Sequence, residues 1–312
     1  MRYYLFKRLC NIPLTLFCVS ILTFLLIRLV PVEPAEVMLR MAHTAPTEES
    51  LDAMRARLGT DQPLIMQYVT WIRGVIQLDF GTSFVSKQAV ATDLFAKLPA
   101  TALLACVSFL LTVLISIPLG VMNVLTKSRL LKIVGQFFAL CCVSVPVFWL
   151  GFLFIYVGSL KWGLFPSHGM GTWQHLFLPA LTLAIPTIGL FSQLIQQTIV
   201  ELQQTSFMHY ARVRGVKNRT LIKYYAQHLL LRLLPLLVVT FGSLIGGAIV
   251  VEQVFSWPGL GRYLIESVIN RDYPVIQAYV MMIACCYCVL TLLGDIAQQA
   301  LDPRLRLKEV SR

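Results

Sequence analysis

The chain has 312 residues, of which 57% are hydrophobic and only 13% are charged, and its formal net charge is +11. A water-soluble protein of this length needs a more polar surface, and the apolar residues here lie in long uncharged runs, so the composition indicates a membrane protein. Membrane proteins collect Lys and Arg in their cytoplasmic loops, and the sequence has no aromatic-basic RNA motif or recognition helix. The positive charge therefore does not indicate nucleic-acid binding.

The first apolar run, from about Leu9 to Val30, follows a basic start and predicts a membrane-spanning helix. A cleaved signal peptide has a similar pattern. However, this run is long enough to span a membrane, and Arg28-Leu-Val-Pro31 is not a small-x-small cleavage site. We therefore expect residues 1–30 to form an uncleaved first span.

A polar segment, residues 31–94, separates the first span from the second. Thr47-Glu-Glu-Ser-Leu-Asp52 predicts the start of a helix, and Gly59 and Pro63 are expected to end it. Gln67 to Leu78 predicts a second short helix. The segment is therefore expected to be a small folded cap rather than a disordered loop.

Five further apolar runs each have the length of a membrane span. Prolines at 118, 146 and 186 predict kinks in these spans. Membrane helices tolerate such kinks because neighbouring helices can satisfy the backbone groups that a proline frees. Together with the first run they predict an all-α membrane protein with six transmembrane helices and a core unit at residues 95–298. The five runs are expected at about Leu98 to Val124, Ile133 to Leu160, Phe177 to Ile199, Leu233 to Val254 and Ile276 to Ala297.

The distribution of Lys and Arg over the loops predicts the orientation of these six spans. Basic side chains dominate the N-terminus, the loop between spans two and three, the loop between spans four and five, and the tail at residues 299–312. All four stretches fall on one side, whereas acidic side chains outnumber basic ones on the other side. The positive-inside rule therefore predicts that both termini are cytoplasmic and that the segment after the first span lies on the opposite side of the membrane.

The loop between spans four and five, from Val200 to Arg232, is the most informative part of the chain. Loops of this length are usually functional or disordered, and this one does not have a disordered composition. Ser206 is an acceptable N-cap, and Gly215 lies where helices often end on a left-handed residue. We therefore expect a short helix, a turn and then a second, basic amphipathic helix.

Four residues of that short helix fall at one-turn spacing and could share a face. Physical reasoning alone leaves two roles open for it, namely docking to a partner protein or lying on anionic lipid. The four residues are Phe207, Tyr210, Ala211 and Arg214.

The stretch Tyr210-Ala-Arg-Val-Arg-Gly215, with Leu234-Pro235 downstream, resembles the cytoplasmic signature of binding-protein-dependent ABC importer permeases. The resemblance implies the type I ABC importer permease fold, with a periplasmic insertion after the first helix and a coupling helix at about residues 206–216. In that family the coupling helix docks on the ATPase subunit and passes its closure to the spans. The Glu-Ala-Ala start usual in the family is degenerate here, and Glu201 is not assigned to it.

The resemblance also implies which residues couple to the ATPase. Ala211 and Gly215 match the small residue and the glycine of the signature. Together with these two, Tyr210 and Arg214 complete the expected set of coupling residues.

Further motifs narrow the resemblance to the dipeptide, oligopeptide and nickel permeases. Residues 171–179 and 270–277 look closest to the nickel-import B permease, which implies import of nickel or of a nickel or other metal-chelator complex. Import of dipeptides or oligopeptides is the alternative, because these importers share much of the pattern. The motifs are Leu58 to Tyr68, Leu78 to Ser83, Glu252 to Arg262, Asn270 to Gln277, and Asp302-Pro-Arg304.

The same resemblance implies an assembly in the bacterial cytoplasmic membrane, surrounded by lipid. A second homologous permease would complete a heterodimer, and a periplasmic or lipid-anchored binding protein would deliver the substrate. The chain has no G-x-x-x-x-G-K-[ST] phosphate loop, so it is expected to be neither an ATPase nor another enzyme and to hold no cofactor. ATP and Mg would bind to two separate ATP-binding subunits.

Two other classes of protein compete with this interpretation. A secondary transporter driven by protons or sodium should have intramembrane carboxylates and interrupted helices in both halves, whereas Asp295 is essentially the one such candidate here. An intramembrane enzyme needs a Ser/His or Asp/Asp pair that faces across spans, and no His lies deep in a predicted span.

Two acidic residues near span ends are candidates for the transport pathway or for interfacial ion pairs. Asp295 could pair with Arg304 or Arg306. Glu252 could extend its carboxylate to water at the outer end of span five, or pair with Arg262.

Three histidines fall on the predicted outer side, where a metal ion would arrive, and imidazole suits nickel. Outer loops often contain histidines, and none of these is paired at i,i+4, so an ordinary loop role is the alternative. The three weak metal-ligand candidates are His43, His168 and His175.

Overall fold

The computed structural model describes residues 2–29 and 33–301. Within those ranges the regular structure is helical, apart from one isolated β-bridge between Thr82 and Ala89. The prediction of an all-α membrane protein is therefore confirmed. The helices are α1 (Arg2–Arg28), α2 (Pro34–Met41), α3 (Glu48–Leu58), α4 (Leu64–Ile76), α5 (Val90–Leu125), α6 (Arg129–Ser144), α7 (Val147–Phe154), α8 (Trp173–Gln203), α9 (Ser206–Val213), α10 (Asn218–Val254), α11 (Leu260–Ile269) and α12 (Tyr273–Leu301).

Five of the described helices, α1, α5, α8, α10 and α12, are long and apolar enough to cross a membrane. The sixth candidate is α6 together with α7 and its π-helical extension, Ile155–Lys161, which are bent by 103° relative to each other. Six spans are present only if this bent pair counts as one.

The predicted third span, residues 133–160, is thus broken rather than kinked. Val145 and Pro146 both have extended backbones, with ψ of 127° and 133°. A proline disfavours helical backbone in the residue before it, and it has no N–H to continue the hydrogen-bond ladder. Pro186, in contrast, lies inside the uninterrupted α8.

The chain divides into two compact units. One, the N-terminal unit, contains Arg2–Pro99 and Gly259–Val289. The other, the central unit, contains Ala100–Pro258 and, within the described residues, Leu290–Leu301.

The N-terminal unit contains the short helices predicted for the polar segment. Thr47 caps α3 by accepting a hydrogen bond from the Ser50 backbone N–H, and Gly59 ends the helix with φ +67°, as expected. Helix α4 packs on α1, where Tyr68 hydrogen-bonds Ser20 at 2.7 Å and meets the ring of Phe24 edge-on. The polar segment is therefore a folded part of this unit.

The central unit is built on close contacts between helices. A Cβ added at Gly189 of α8 would lie 2.6 Å from the Ala139 backbone oxygen of α6, and one added at Gly120 of α5 would lie 2.7 Å from Ile195 of α8. Small residues let membrane helices approach closely and gain packing contacts. Glycine is therefore required where α5 and α6 meet α8.

Candidate coupling segment and other candidate site residues

Helix α9 begins one residue earlier than the sequence predicts. Thr205 is the N-cap, with an extended backbone (φ −71°, ψ 143°), and its Oγ1 accepts a hydrogen bond from the Met208 backbone N–H at 3.3 Å. Ser206 is already helical, so the prediction that Ser206 caps the helix is wrong. Serine and threonine are both good N-cap residues, but only a residue with non-helical backbone can cap the helix. Here that residue is Thr205.

Gly215 ends the α9 turn as predicted. Its φ is +75°, and the following residue, Val216, donates its N–H to the Ala211 carbonyl oxygen at 3.1 Å. This hydrogen bond belongs to the left-handed helix termini that glycine favours. The chain can therefore reverse sharply into α10, which begins at Asn218.

The four residues predicted to share a face of α9 differ in burial. Ala211 is buried together with Met208, whereas Phe207, Tyr210 and Arg214 are exposed. Tyr210 and Ala211 are adjacent and so lie about 100° apart around the helix axis. Ala211 thus belongs to the packed side of α9, and Tyr210 to the side that is free to meet a partner.

Helix α9 contacts the first turns of α10. The ring of Phe207 lies 5.1 Å from that of Tyr224 and is stacked on that of His228 at 6.5 Å. The Arg212 guanidinium donates a hydrogen bond to the Tyr225 hydroxyl at 2.8 Å. Aromatic contacts and a directional hydrogen bond therefore hold α9 against α10.

An ion pair joins the end of α8 to α10. Arg232 donates hydrogen bonds to both carboxylate oxygens of Glu201, and both side chains are at least half exposed. Exposed ion pairs contribute little to stability, so its effect is mainly on geometry. A cavity of about 890 Å³ lies beside it, and Thr198, His228 and Leu301 also line this cavity.

Glu252 does not lie at a surface where its carboxylate could extend to water. Its side chain is fully buried, at 0% exposure, so that expectation is wrong. The Thr101 hydroxyl donates a hydrogen bond to Glu252 Oε1 at 2.6 Å, and the Trp257 indole N–H donates to the Ala100 carbonyl oxygen at 3.0 Å. A carboxylate is buried at lower cost when it is hydrogen-bonded, and these contacts fasten the end of α10 to α5.

Asp295 lies half-buried on α12. Its predicted partners, Arg304 and Arg306, lie outside the described residues. The predictions of an ion pair and of a pathway role for Asp295 therefore remain predictions.

Two of the three candidate metal-binding histidines have other side-chain contacts in the structure. His175 Nδ1 accepts a hydrogen bond from the Thr172 backbone N–H at 3.2 Å and so takes part in the capping box of α8. His168 Nδ1 lies 2.7 Å from Ser167 Oγ, and His43 has a left-handed backbone with φ +54°. Across residues 2–29 and 33–301, no group of three or more His, Cys, Asp or Glu side chains could hold a metal ion.

Sequence reasoning gave no role to Asp272, which the structure places at the centre of a hydrogen-bond network. Its buried carboxylate accepts hydrogen bonds from Ser83 Oγ at 2.5 Å and from the backbone N–H groups of Phe84 and Val85 at 3.0 and 3.3 Å. Two of the family-like motifs, 78–83 and 270–277, meet here. Their joint presence was the only signal in the sequence that could have indicated the contact.

A second carboxylate supports the same segment. Asp93 accepts hydrogen bonds from Ser86 Oγ at 2.8 Å and from the Tyr263 hydroxyl at 2.9 Å. Burial and the nearby Asp93 carboxylate raise the pKa of the Tyr263 phenol above its ordinary value, which keeps the phenol proton available as the donor.

The long apolar helices agree with the comparisons to known proteins. The chain belongs to the family described as binding-protein-dependent transport system inner membrane component, whose family model matches residues 113–307. The model of the N-terminal membrane component of these systems matches residues 1–105. The chain is therefore a multi-pass inner-membrane permease subunit of an ABC importer and not an enzyme, and separate subunits hydrolyse ATP.

Individual relatives extend over nearly the whole chain. The glutathione transport system permease protein GsiC of Salmonella choleraesuis (strain SC-B67) is 34% identical over 306 residues, which are 98% of this chain and 99% of the relative. GsiC of Escherichia coli (strain K12) is 33% identical over the same length and shares. These relatives are glutathione permeases, so they do not show the predicted closeness to the nickel-import B permease.

Solved structures confirm the type I permease fold. Two crystal forms of the inward-facing MetNI methionine ABC transporter, CY5 native and CY5 SeMet soak, align with TM-scores of 0.57 and 0.58. Each alignment covers 67% of this chain and 96% of that chain, at 16% and 17% identity. At this identity the likeness concerns the fold alone.

Proposed function

We propose that this permease imports a short peptide, of the class to which glutathione belongs. The observation that carries the proposal is the 33–34% identity to glutathione permeases over nearly the full length of both chains. This observation favours the peptide alternative over nickel or a metal-chelator complex.

The motifs that resemble the nickel permease have structural roles that need no metal. In the 171–179 stretch, His175 caps α8, and in the 270–277 stretch, Asp272 binds the segment that follows Thr82. Both side chains therefore have protein partners that account for them. Neither side chain therefore needs a metal ion to account for its position in the fold.

We further propose that α9 is the coupling helix and lies in the cytoplasm. It would dock on an ATP-binding subunit through the exposed side that carries Tyr210, Val213 and Arg214. Family membership favours docking on a protein over an interfacial role, and a helix of 8 residues has little apolar surface to bury in lipid.

The transport cycle follows from this arrangement as alternating access. A loaded binding protein docks outside, two ATP-binding subunits close inside, and α9 passes that movement to α8 and α10. A pathway between this chain and a second, homologous permease then opens to one side at a time. Each chain supplies a single α9, so a heterodimer would provide one coupling helix for each of the two ATP-binding subunits.

Transport by the whole assembly tests the substrate class. The chain would be reconstituted into proteoliposomes with its partner permease, ATP-binding subunits and binding protein, and given labelled glutathione, a labelled dipeptide or radioactive Ni²⁺. We expect ATP-dependent uptake of at least one of the two peptides. Uptake of Ni²⁺ without either peptide would overturn the peptide proposal, and uptake that follows a proton gradient and ignores ATP would overturn the importer mechanism.

A further inference from the structure

We infer that Tyr225 is a positioning residue that links α9 to the membrane-spanning bundle, so that a movement of α9 reaches α5, α8 and α10 through this side chain. The inference rests on the proposed role of α9 as the coupling helix. It assigns a specific residue to the step between ATPase docking and the movement of the spans.

The two ends of the Tyr225 side chain meet different parts of the molecule. Its hydroxyl accepts the hydrogen bond from Arg212 of α9 at 2.8 Å. Its half-buried ring packs against a buried cluster of α8 and α10 side chains, on which Val121 and Val124 of α5 also pack. The buried members of this cluster are Phe191, Ile195, Ile199 and Leu233.

The second contact of α9 with α10 is of a different kind. Phe207 lies against the rings of Tyr224 and His228, and neither of these belongs to that cluster. The Phe207 ring is tilted by 59° against Tyr224 and stacked on His228. Such ring contacts are less directional than a hydrogen bond from a charged donor to a hydroxyl, which fixes both distance and direction. The Arg212–Tyr225 hydrogen bond is therefore the contact suited to transmit displacement in both directions.

A purely structural tyrosine would have the same ring packing, so the test must separate the ring from the hydroxyl. Tyr225→Phe keeps the ring in the cluster and removes the acceptor for Arg212. Tyr224→Phe is the matched control, because it is the same change one residue earlier. Among the described residues, the Tyr224 hydroxyl has no hydrogen-bond partner, and its ring contact with Phe207 would remain.

The readout is coupling rather than folding. Complete transporters carrying each variant would be reconstituted into proteoliposomes. Uptake and ATP hydrolysis would then be measured in parallel with labelled glutathione, labelled dipeptide and radioactive Ni²⁺. We expect Tyr225→Phe to assemble and to hydrolyse ATP like the parent. Its uptake per ATP hydrolysed should fall by about threefold or more, since loss of one typical intramolecular hydrogen bond shifts an equilibrium by about two- to tenfold. Tyr224→Phe should match the parent.

Arg212→Met provides an independent variant should Tyr225→Phe not assemble. It should lower the same ratio, and the double variant should be no worse than either single one, because both remove one shared hydrogen bond. A parent-like ratio in Tyr225→Phe, or independent, additive effects of the two changes, would overturn the inference. If the parent itself shows no ATP-dependent uptake of any of the three probes, the proposed function fails as well, and the parent protein alone reveals this.

Discussion

Asp272 illustrates how much a single residue can determine in this chain. Its side chain is 1% exposed, and three donors from the 83–85 segment converge on its carboxylate. The donor Ser83 is 189 positions away along the sequence. Hydrophobic periodicity describes neighbours on one element, so no pattern of that kind could predict this contact or the one between Thr101 and Glu252.

Asp272→Asn should destabilise the N-terminal unit. The amide keeps the shape of the carboxylate but offers one acceptor oxygen, and its NH₂ group would face at least one of the three donors. A buried donor left unsatisfied costs about 1–3 kcal/mol. Thermal unfolding of the purified protein in detergent would measure this as a lower melting temperature.

The control for this prediction is Asp52→Asn, the same change in an exposed carboxylate of the same unit. Asp52 pairs with Arg55 at 2.9 Å, and its side chain is 71% exposed. Such surface pairs contribute about 0–1 kcal/mol, so the melting temperature should barely change. Equal effects of the two substitutions would mean that the Asp272 network does not support the fold.

At the scale of the helix, the sequence predicts elements well and their ends poorly. The existence of α9 and its stop at Gly215 follow from local chemistry and were predicted. The choice of Thr205 over Ser206 as the cap depends on one backbone angle, and both residues are suitable caps. The break at Pro146 follows from a known local preference, but its size, 103°, depends on packing partners that the sequence does not reveal.

The close contact between Gly189 of α8 and α6 should be sensitive to an added methyl group. Gly189→Ala would place a methyl group 2.6 Å from the Ala139 backbone oxygen, so α6 must move away from α8. Overpacking of this kind costs about 1–3 kcal/mol. The melting temperature in detergent and the amount of protein in the membrane should both fall.

Gly246→Ala is the matched control for this contact. Gly246 also lies inside a long helix, α10, but a Cβ there would meet nothing within 4 Å. Alanine favours helix over glycine by roughly 0.5–1 kcal/mol, so this variant should be as stable as the parent or more stable. The close-contact interpretation would be wrong if both variants melted at the same temperature.

Gly215, which ends the proposed coupling helix α9, allows its backbone requirement to be tested separately from the space around it. Its φ is +75°, and an added Cβ would meet nothing within 4 Å. Gly215→Val should impair uptake per ATP hydrolysed, because a β-branched residue resists left-handed backbone at a cost of roughly 1–2 kcal/mol. Gly215→Asn should retain most of the coupling, since asparagine tolerates this conformation. Full coupling in the valine variant would remove the turn from the mechanism.

At the scale of the whole molecule, charge and hydropathy carry most of what can be predicted. The uneven distribution of Lys and Arg over the loops predicts the orientation of the spans, and the long apolar runs predict their positions. Family models divide the chain between residues 1–105 and 113–307. Neither kind of information indicates which side chains lie between the helices. For this reason Glu252 was expected at a surface, whereas the structure buries it fully.

The predicted orientation can be tested with two valines. Val85, in the segment held by Asp272, is 51% exposed, and Val213, at the end of α9, is 74% exposed. In a variant without the native cysteines, expressed without the ATP-binding subunits that would cover α9, Val85→Cys and Val213→Cys would each carry one thiol for a maleimide that does not cross membranes. We expect the first to react in intact spheroplasts and the second only in inside-out vesicles, because the positive-inside rule places α9 with the basic loops. Labelling of Val213→Cys from outside would place α9 on the side of the membrane opposite to the ATP-binding subunits. The coupling role of α9 and the link through Tyr225 would then both have to be abandoned.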